Sequence, residues 1–178
     1  KVYNGSAQGA TVTTSPAGLA VTVTYDGSET LPTNYKEGGY AVLAVLNNSN
    51  YTAANGTGTL VIDKAATTTE VTVADVTYNG NSHGGTAAVT GAGGLSESLT
   101  VTYVGTGSTT YPASTTAPIN AGTYSATATY TESANHTGST QTKSFTIAQA
   151  AASISVTDLA KVYNGSAQGA TVTTSPAG

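Results

Sequence analysis

Val21, Val23 and Tyr25 alternate with Thr22 and Thr24, and Asp26-Gly27 follows as a turn signal. A two-residue period puts the apolar side chains on one face of a strand. Tyr124, Ala126, Ala128 and Tyr130 alternate in the same way with Ser125, Thr127 and Thr129, which predicts a second half-buried strand. Tyr40–Leu46 is apolar at every position and predicts a strand covered on both faces. Leu60–Ile62 and Phe145–Ile147 read as short closing strands, and Glu70–Val73 and Ser153–Val156 as opening strands, each after an Ala pair. Tyr-Asn-Gly at Tyr3, Tyr78 and Tyr163 reads as a turn, because Asn and Gly tolerate positive φ.

These patterns repeat. Lys1–Gly18 recurs letter for letter as Lys161–Gly178, 160 residues further on. A weaker copy lies between. Tyr3-Asn4-Gly5 returns as Tyr78-Asn79-Gly80, Val21–Gly27 as Leu99–Gly105, Gly39-Tyr40 as Thr123-Tyr124, Asn50-Tyr51-Thr52 as Asn135-His136-Thr137, and Leu60–Ile62 as Phe145–Ile147. The offset grows from 75 to 85 residues around Gly91–Ser96 and Ser108–Pro118, which read as loop insertions. The division expected is a first unit over 1–64 that lacks its opening strand, a complete second unit over 65–149, and the opening strand and start of a third over 150–178. Short linkers are expected near Lys64–Thr69 and Gln149–Ser153.

The 178 residues have the appearance of a window on a longer periodic chain. Either the polypeptide continues at both ends, or separate chains assemble and the C-terminal strand of one fills the vacant place in the next. The exact repetition favours continuation, since strand exchange requires no duplicate of residues 1–18.

Composition strengthens the β reading. Thr, Val and Tyr suit a pleated, half-buried surface, and no run at helical spacing stands out. Charged residues are only 8%, against about a quarter in an ordinary soluble domain. Five Lys, no Arg and a net charge of −4 form no basic patch, so no nucleic-acid partner is expected. The longest apolar run, Tyr40–Leu46, falls far short of the ~20 residues of a membrane span. The absence of Cys excludes a disulfide framework.

Little in the chain points to chemistry. His83 and His136 have no carboxylate or second ligand nearby in sequence. The nine carboxylates are scattered singly, and Asp26 and Asp63 become Val104 and Ala148 in the second unit. Gly91-Ala92-Gly93-Gly94 lacks the Lys and following helix of a phosphate loop. No catalytic, cofactor-binding or metal residue is therefore assigned. Four Lys (Lys1, Lys36, Lys64 and Lys143) were weighed for Lys–Asn cross-links without an apolar setting to support one. The loops carrying Asn50 and Tyr51, and Asn135 and His136, are the candidates for glycan contact.

Lys1–Gly5, Val21–Gly27, Gly38–Leu46, Ser49–Thr52 and Leu60–Ala65 together resemble the MBG, or "mostly beta-grasp", domain of bacterial surface proteins. The second copy resembles it through Thr77–Gly80, Leu99–Gly105, Asn120–Thr129, Ala134–Thr137 and Phe145–Ala150. The resemblance implies an all-β chain of tandem small β-grasp-like domains in an extended array, with immunoglobulin-like sandwich repeats as the alternative. It implies a non-enzymatic, extracellular or cell-surface stalk or fibre whose partners are adjacent repeats or neighbouring copies. An adhesin module binding glycans through its loops is the alternative function. No cofactor is implied.

Overall fold

The computed structural model describes residues 1–176. The first unit is a three-stranded antiparallel sheet of β1 (Val21–Tyr25), β2 (Tyr40–Leu46) and β3 (Gly56–Leu60), in the order β1-β2-β3. The alternation in β1 is used as expected, and Asp26 and Gly27, both at positive φ, turn the chain where it ends. Val2 bridges Asp63 in parallel: the Tyr3 amide donates to Asp63 at 2.8 Å, and the Asp63 amide to Lys1 at 2.7 Å. The core consists of Tyr25, Leu60 and Ile62, with Tyr3, Ala10, Val23, Tyr40 and Val42 packed around it. The expectation that β2 is covered on both faces fails. Leu43 and Val45 are each 38% exposed, because only the other face of this sheet is overlaid by the chain.

The second unit has two facing sheets. The first contains β4 (Thr67–Thr72), β6 (Thr86–Gly91) and β7 (Leu95–Leu99) in the order β4-β6-β7. The other runs β5-β10-β9-β8, from β5 (Val76–Thr77), β8 (Thr102–Gly105), β9 (Gly122–Tyr130) and β10 (Ser139–Ala148). Its opening strand β5 lies parallel to its closing strand β10, as Val2 lies to Asp63. Alternate residues meet between the layers: Val71 and Ala87 from one, Tyr103, Tyr124, Ala126, Ala128, Phe145 and Ile147 from the other. Tyr124 stacks on Phe145 with centroids 5.5 Å apart, and burial pushes its phenol pKa up.

Two expectations need correction here. Gly91–Ser96 is not simply a loop insertion: a short turn over Ala92–Gly94 leads into β7, which pairs with β6. Nor is Lys64–Thr69 a free linker, since Ala65 bridges His136 and Thr67–Thr69 already belong to β4.

Beyond the second unit, β11 (Ser153–Thr157) and β12 (Thr171–Ser175) form an antiparallel hairpin. All ten of its residues are exposed. The all-β expectation holds across the described residues, where the only helical element is the three-residue turn.

Tyrosine hydroxyls tie the loops down at equivalent places. The Ala10 amide donates to Tyr25 Oη and the Gly85 amide to Tyr103 Oη, both at 2.8 Å. Tyr40 Oη donates to Asn34 O at 2.9 Å and Tyr124 Oη to Asn120 O at 2.8 Å. Each ring fills the core while its hydroxyl satisfies a loop group that no ladder reaches. Tyr103→Phe therefore leaves the Gly85 amide unpaired beneath the loop. It should cost about 1–3 kcal/mol in denaturant unfolding, while Tyr51→Phe, at a half-exposed position, should be near neutral.

Candidate functional site

The residues singled out for chemistry are occupied with structure. Asn4 Oδ1 accepts from the Ser6 amide at 2.9 Å, Asn79 Oδ1 from the Asn81 amide at 2.9 Å and Asn164 Oδ1 from the Ser166 amide at 3.0 Å. Each Tyr-Asn-Gly is thus an Asx turn closed by a glycine at positive φ. His83 stands where the first unit has Gln8. Its Nε2 lies 2.9 Å from Asn79 Oδ1, as Gln8 Nε2 lies 3.4 Å from Asn4 Oδ1. The main chain agrees, with the Gln8 amide donating to Pro32 and the His83 amide to Pro118, both at 2.8 Å. His83 steadies a turn.

The carboxylates are similarly employed. Asp75 Oδ1 accepts from the Thr146 amide at 2.7 Å. Asp26 accepts from Lys36 Nζ at 2.7 Å and from the Ala41 amide at 3.0 Å. The Lys36 ammonium, then the Ala41 N–H, hold its carboxyl below the usual carboxylate range. Among the described residues no three His, Cys, Asp or Glu side chains gather as metal ligands. No helix there is long and apolar enough to cross a membrane.

The four candidate glycan-contact residues divide into two settings. Asn50 and Tyr51 sit in the loop between β2 and β3, and Tyr51 borders a cavity of about 230 Å3 with Leu19 and Leu46. Asn135 and His136 instead build the junction between the two units. Asn135 Oδ1 accepts from the Tyr35 amide at 2.9 Å, and its Nδ2 donates to Asn34 Oδ1 at 3.0 Å. His136 is buried, edge-on to Tyr3 with ring centroids 5.2 Å apart. Its Nε2 lies 2.8 Å from Ala92 O. A carbonyl only accepts, so Nε2 carries the proton, leaving Nδ1 to face Ser133 Oγ at 3.3 Å.

More of this junction comes from residues with no sequence signal. Ala65 donates to Asn135 O and accepts from the Thr137 amide, both at 2.9 Å, so the segment joining the units is itself pinned. Lys64 Nζ donates to Glu132 and to Ser133 O, and lies 5.0 Å from the centre of the Tyr35 ring. Gly93, at φ +69°, approaches Tyr3 so closely that a Cβ would lie 2.6 Å from Tyr3 Oη. The glycine run that lacked the marks of a phosphate loop serves this close approach of two backbones.

The family model for the MBG domain matches residues 1–66, 69–151 and 152–178. No curated protein and no solved structure matches the chain. The matched family is a non-enzymatic repeat typical of surface proteins.

Two expectations follow. Gly93→Ala forces a side chain into positive φ and against Tyr3. It should cost about 1–3 kcal/mol, part of it relieved in a Tyr3→Ala background when the two are compared in a double-mutant unfolding cycle. The Asp26 pair strengthens folding above the ordinary carboxylate pKa of about 4, and this contribution is lost as pH falls through the lowered folded value. An NMR titration should place the Asp26 midpoint below that of an ordinary Asp, with Lys36→Ala moving it back up.

Proposed function

We propose that this chain, which belongs to the MBG domain family, is a non-catalytic structural repeat of a secreted bacterial surface fibre or adhesin stalk, with the 160-residue two-unit block as its period. The observation that carries this reading is the parallel pairing of each unit's first and last strands. Val2 lies beside Asp63, and Val76-Thr77 beside Ile147-Ala148. Tension on a chain enters the first strand from its N-terminal end and leaves the last from its C-terminal end. In parallel neighbours those pulls are opposed along one axis, so the hydrogen bonds between them share the load in shear and are not unzipped one by one. The pinned junction at Ala65 and Asn135 supports the same role, because it passes force between units through paired backbone. Hydroxyl-rich outer faces with few charges suit a surface that needs solubility without a binding field. The glycan-binding alternative would rest on the Asn50–Tyr51 loop alone, since Asn135 and His136 are engaged at the junction.

Single-molecule stretching of the full chain tests the mechanical role. Tyr78→Pro removes the amide that donates to Ala148 O at 2.8 Å. It should lower the rupture force of the second unit and leave the first unit's event unchanged. An unaltered rupture force would contradict the proposal.

A further inference from the structure

Residues 1–18 and 161–178 have one sequence and two structures. In the C-terminal copy, Thr171–Ser175 is β12, paired with β11 in the register Thr157↔Thr171, Val156↔Val172 and Ile154↔Thr174. This is the β4–β6 register of the second unit, where Thr72 pairs with Thr86 and Val71 with Ala87, moved on by 85 residues. In the N-terminal copy, Thr11–Ser15 belongs to no strand. The reverse holds for the other half of the segment. Val2 bridges Asp63 and Tyr3 packs on the core of the first unit, whereas Val162 and Tyr163 are 88% and 90% exposed. Each copy satisfies the half that the other leaves open.

The second unit shows what an opening strand does when it is in place. On β4, Thr69 and Val71 are 4% and 0% exposed beneath the layer they cover. The matching positions on β11 are Ile154 and Val156, at 73% and 48%. The first unit has the corresponding vacancy. Thr11, Val12 and Thr13 cross its sheet along one side of a cavity of about 280 Å3, and β2 and β3 form the floor.

The floor of that cavity is made for a close neighbour. The residues of β3 on the same face as buried Leu60 are Gly56 and Gly58, where the second unit carries Gln141 and Lys143 beside Phe145. In the second unit Gln141 Oε1 accepts from the Val71 amide of β4 at 2.6 Å. In the first, a Cβ on Gly58 would meet nothing within 4 Å.

We propose that the occupant of this groove is β11 of a second copy of the chain. Ser153–Thr157 of one copy lies antiparallel to Thr11–Ser15 of the next, with Thr157 opposite Thr11, Val156 opposite Val12, Ser155 opposite Thr13, Ile154 opposite Thr14 and Ser153 opposite Ser15. Ile154 and Val156 then face the sheet of the first unit. The donor's own Thr171–Ser175 is released, and the acceptor's identical residues replace it, so ladder hydrogen bonds exchange one for one. What changes is the apolar face of β11, which leaves water for the groove. The contact joins unlike surfaces, the head of one copy to the tail of another, so it propagates as an open chain of molecules. This pairing depends only on residues 1–62 and 153–157, and it holds whether or not the assembly bears load.

The chain has no Cys, so two introduced thiols report on the pairing without background. Thr13→Cys and Ser155→Cys are made as separate variants of the 178-residue chain, mixed and oxidised. The proposal expects a disulfide dimer in the mixture at several times its yield in either variant alone, and a ladder of dimers, trimers and longer species from the double variant. Adding Ile154→Asp, an exposed position in the monomer, should abolish the ladder and hold the chain at monomer mass in sedimentation. Only monomeric products, dimers of each single variant as abundant as the mixed dimer, or a ladder indifferent to Ile154→Asp would overturn it.

Discussion

A β-sheet with one apolar face must have a second layer, and in this protein that layer depends on the strand that opens each unit. In the second unit β4 pairs with β6 and lays Thr69 and Val71 over the sheet formed by β9 and β10. Burying one such aliphatic side chain is worth about 1.5–3 kcal/mol, a large part of the 5–15 kcal/mol that holds a domain folded. The same eighteen residues are a strand beside β11 and irregular where no such neighbour is paired with them. Local propensity is equal in the two places, so the neighbour decides the structure.

The remaining features secure what the opening strand covers. Hydroxyls of Tyr25 and Tyr103 receive the amides of Ala10 and Gly85, holding the turn before the covering strand against the body of each unit. Asx turns at Asn4 and Asn79 set the direction in which the chain leaves the parallel pair. The junction then uses the first of these turns: Tyr3, one residue before Asn4, packs on His136 and approaches Gly93 of the other unit. Fold, junction and repeat period are thus carried by one short motif.

How much of this is legible in the sequence depends on how local the cause is. β1 and β9 follow from strict alternation within a single stretch, Val21–Tyr25 and Tyr124–Tyr130. The outward exposure of Leu43 and Val45 is not visible in Tyr40–Leu46, because it depends on the absence of a layer elsewhere. Leu95-Ser96-Glu97-Ser98-Leu99 has too few apolar residues to announce β7, which forms because β6 offers it an edge. The site was less legible still. Asn135 and His136 are identifiable as the partners of Asn50 and Tyr51 in the repeat, but their contacts to Tyr35 and Tyr3 span 100 residues or more. Single side chains meeting across such distances leave no period to read.

The central claim is that the open face of the first unit takes a strand of the sequence found at β11. Titrating the chain with a synthetic peptide of residues 152–158 and following backbone amides by NMR tests it most directly. The account predicts saturable shifts at Val12, Thr14, Gly56 and Gly58, with slowed hydrogen exchange along Thr11–Ser15. Amides at those positions that stay unmoved while the peptide is in excess would contradict it.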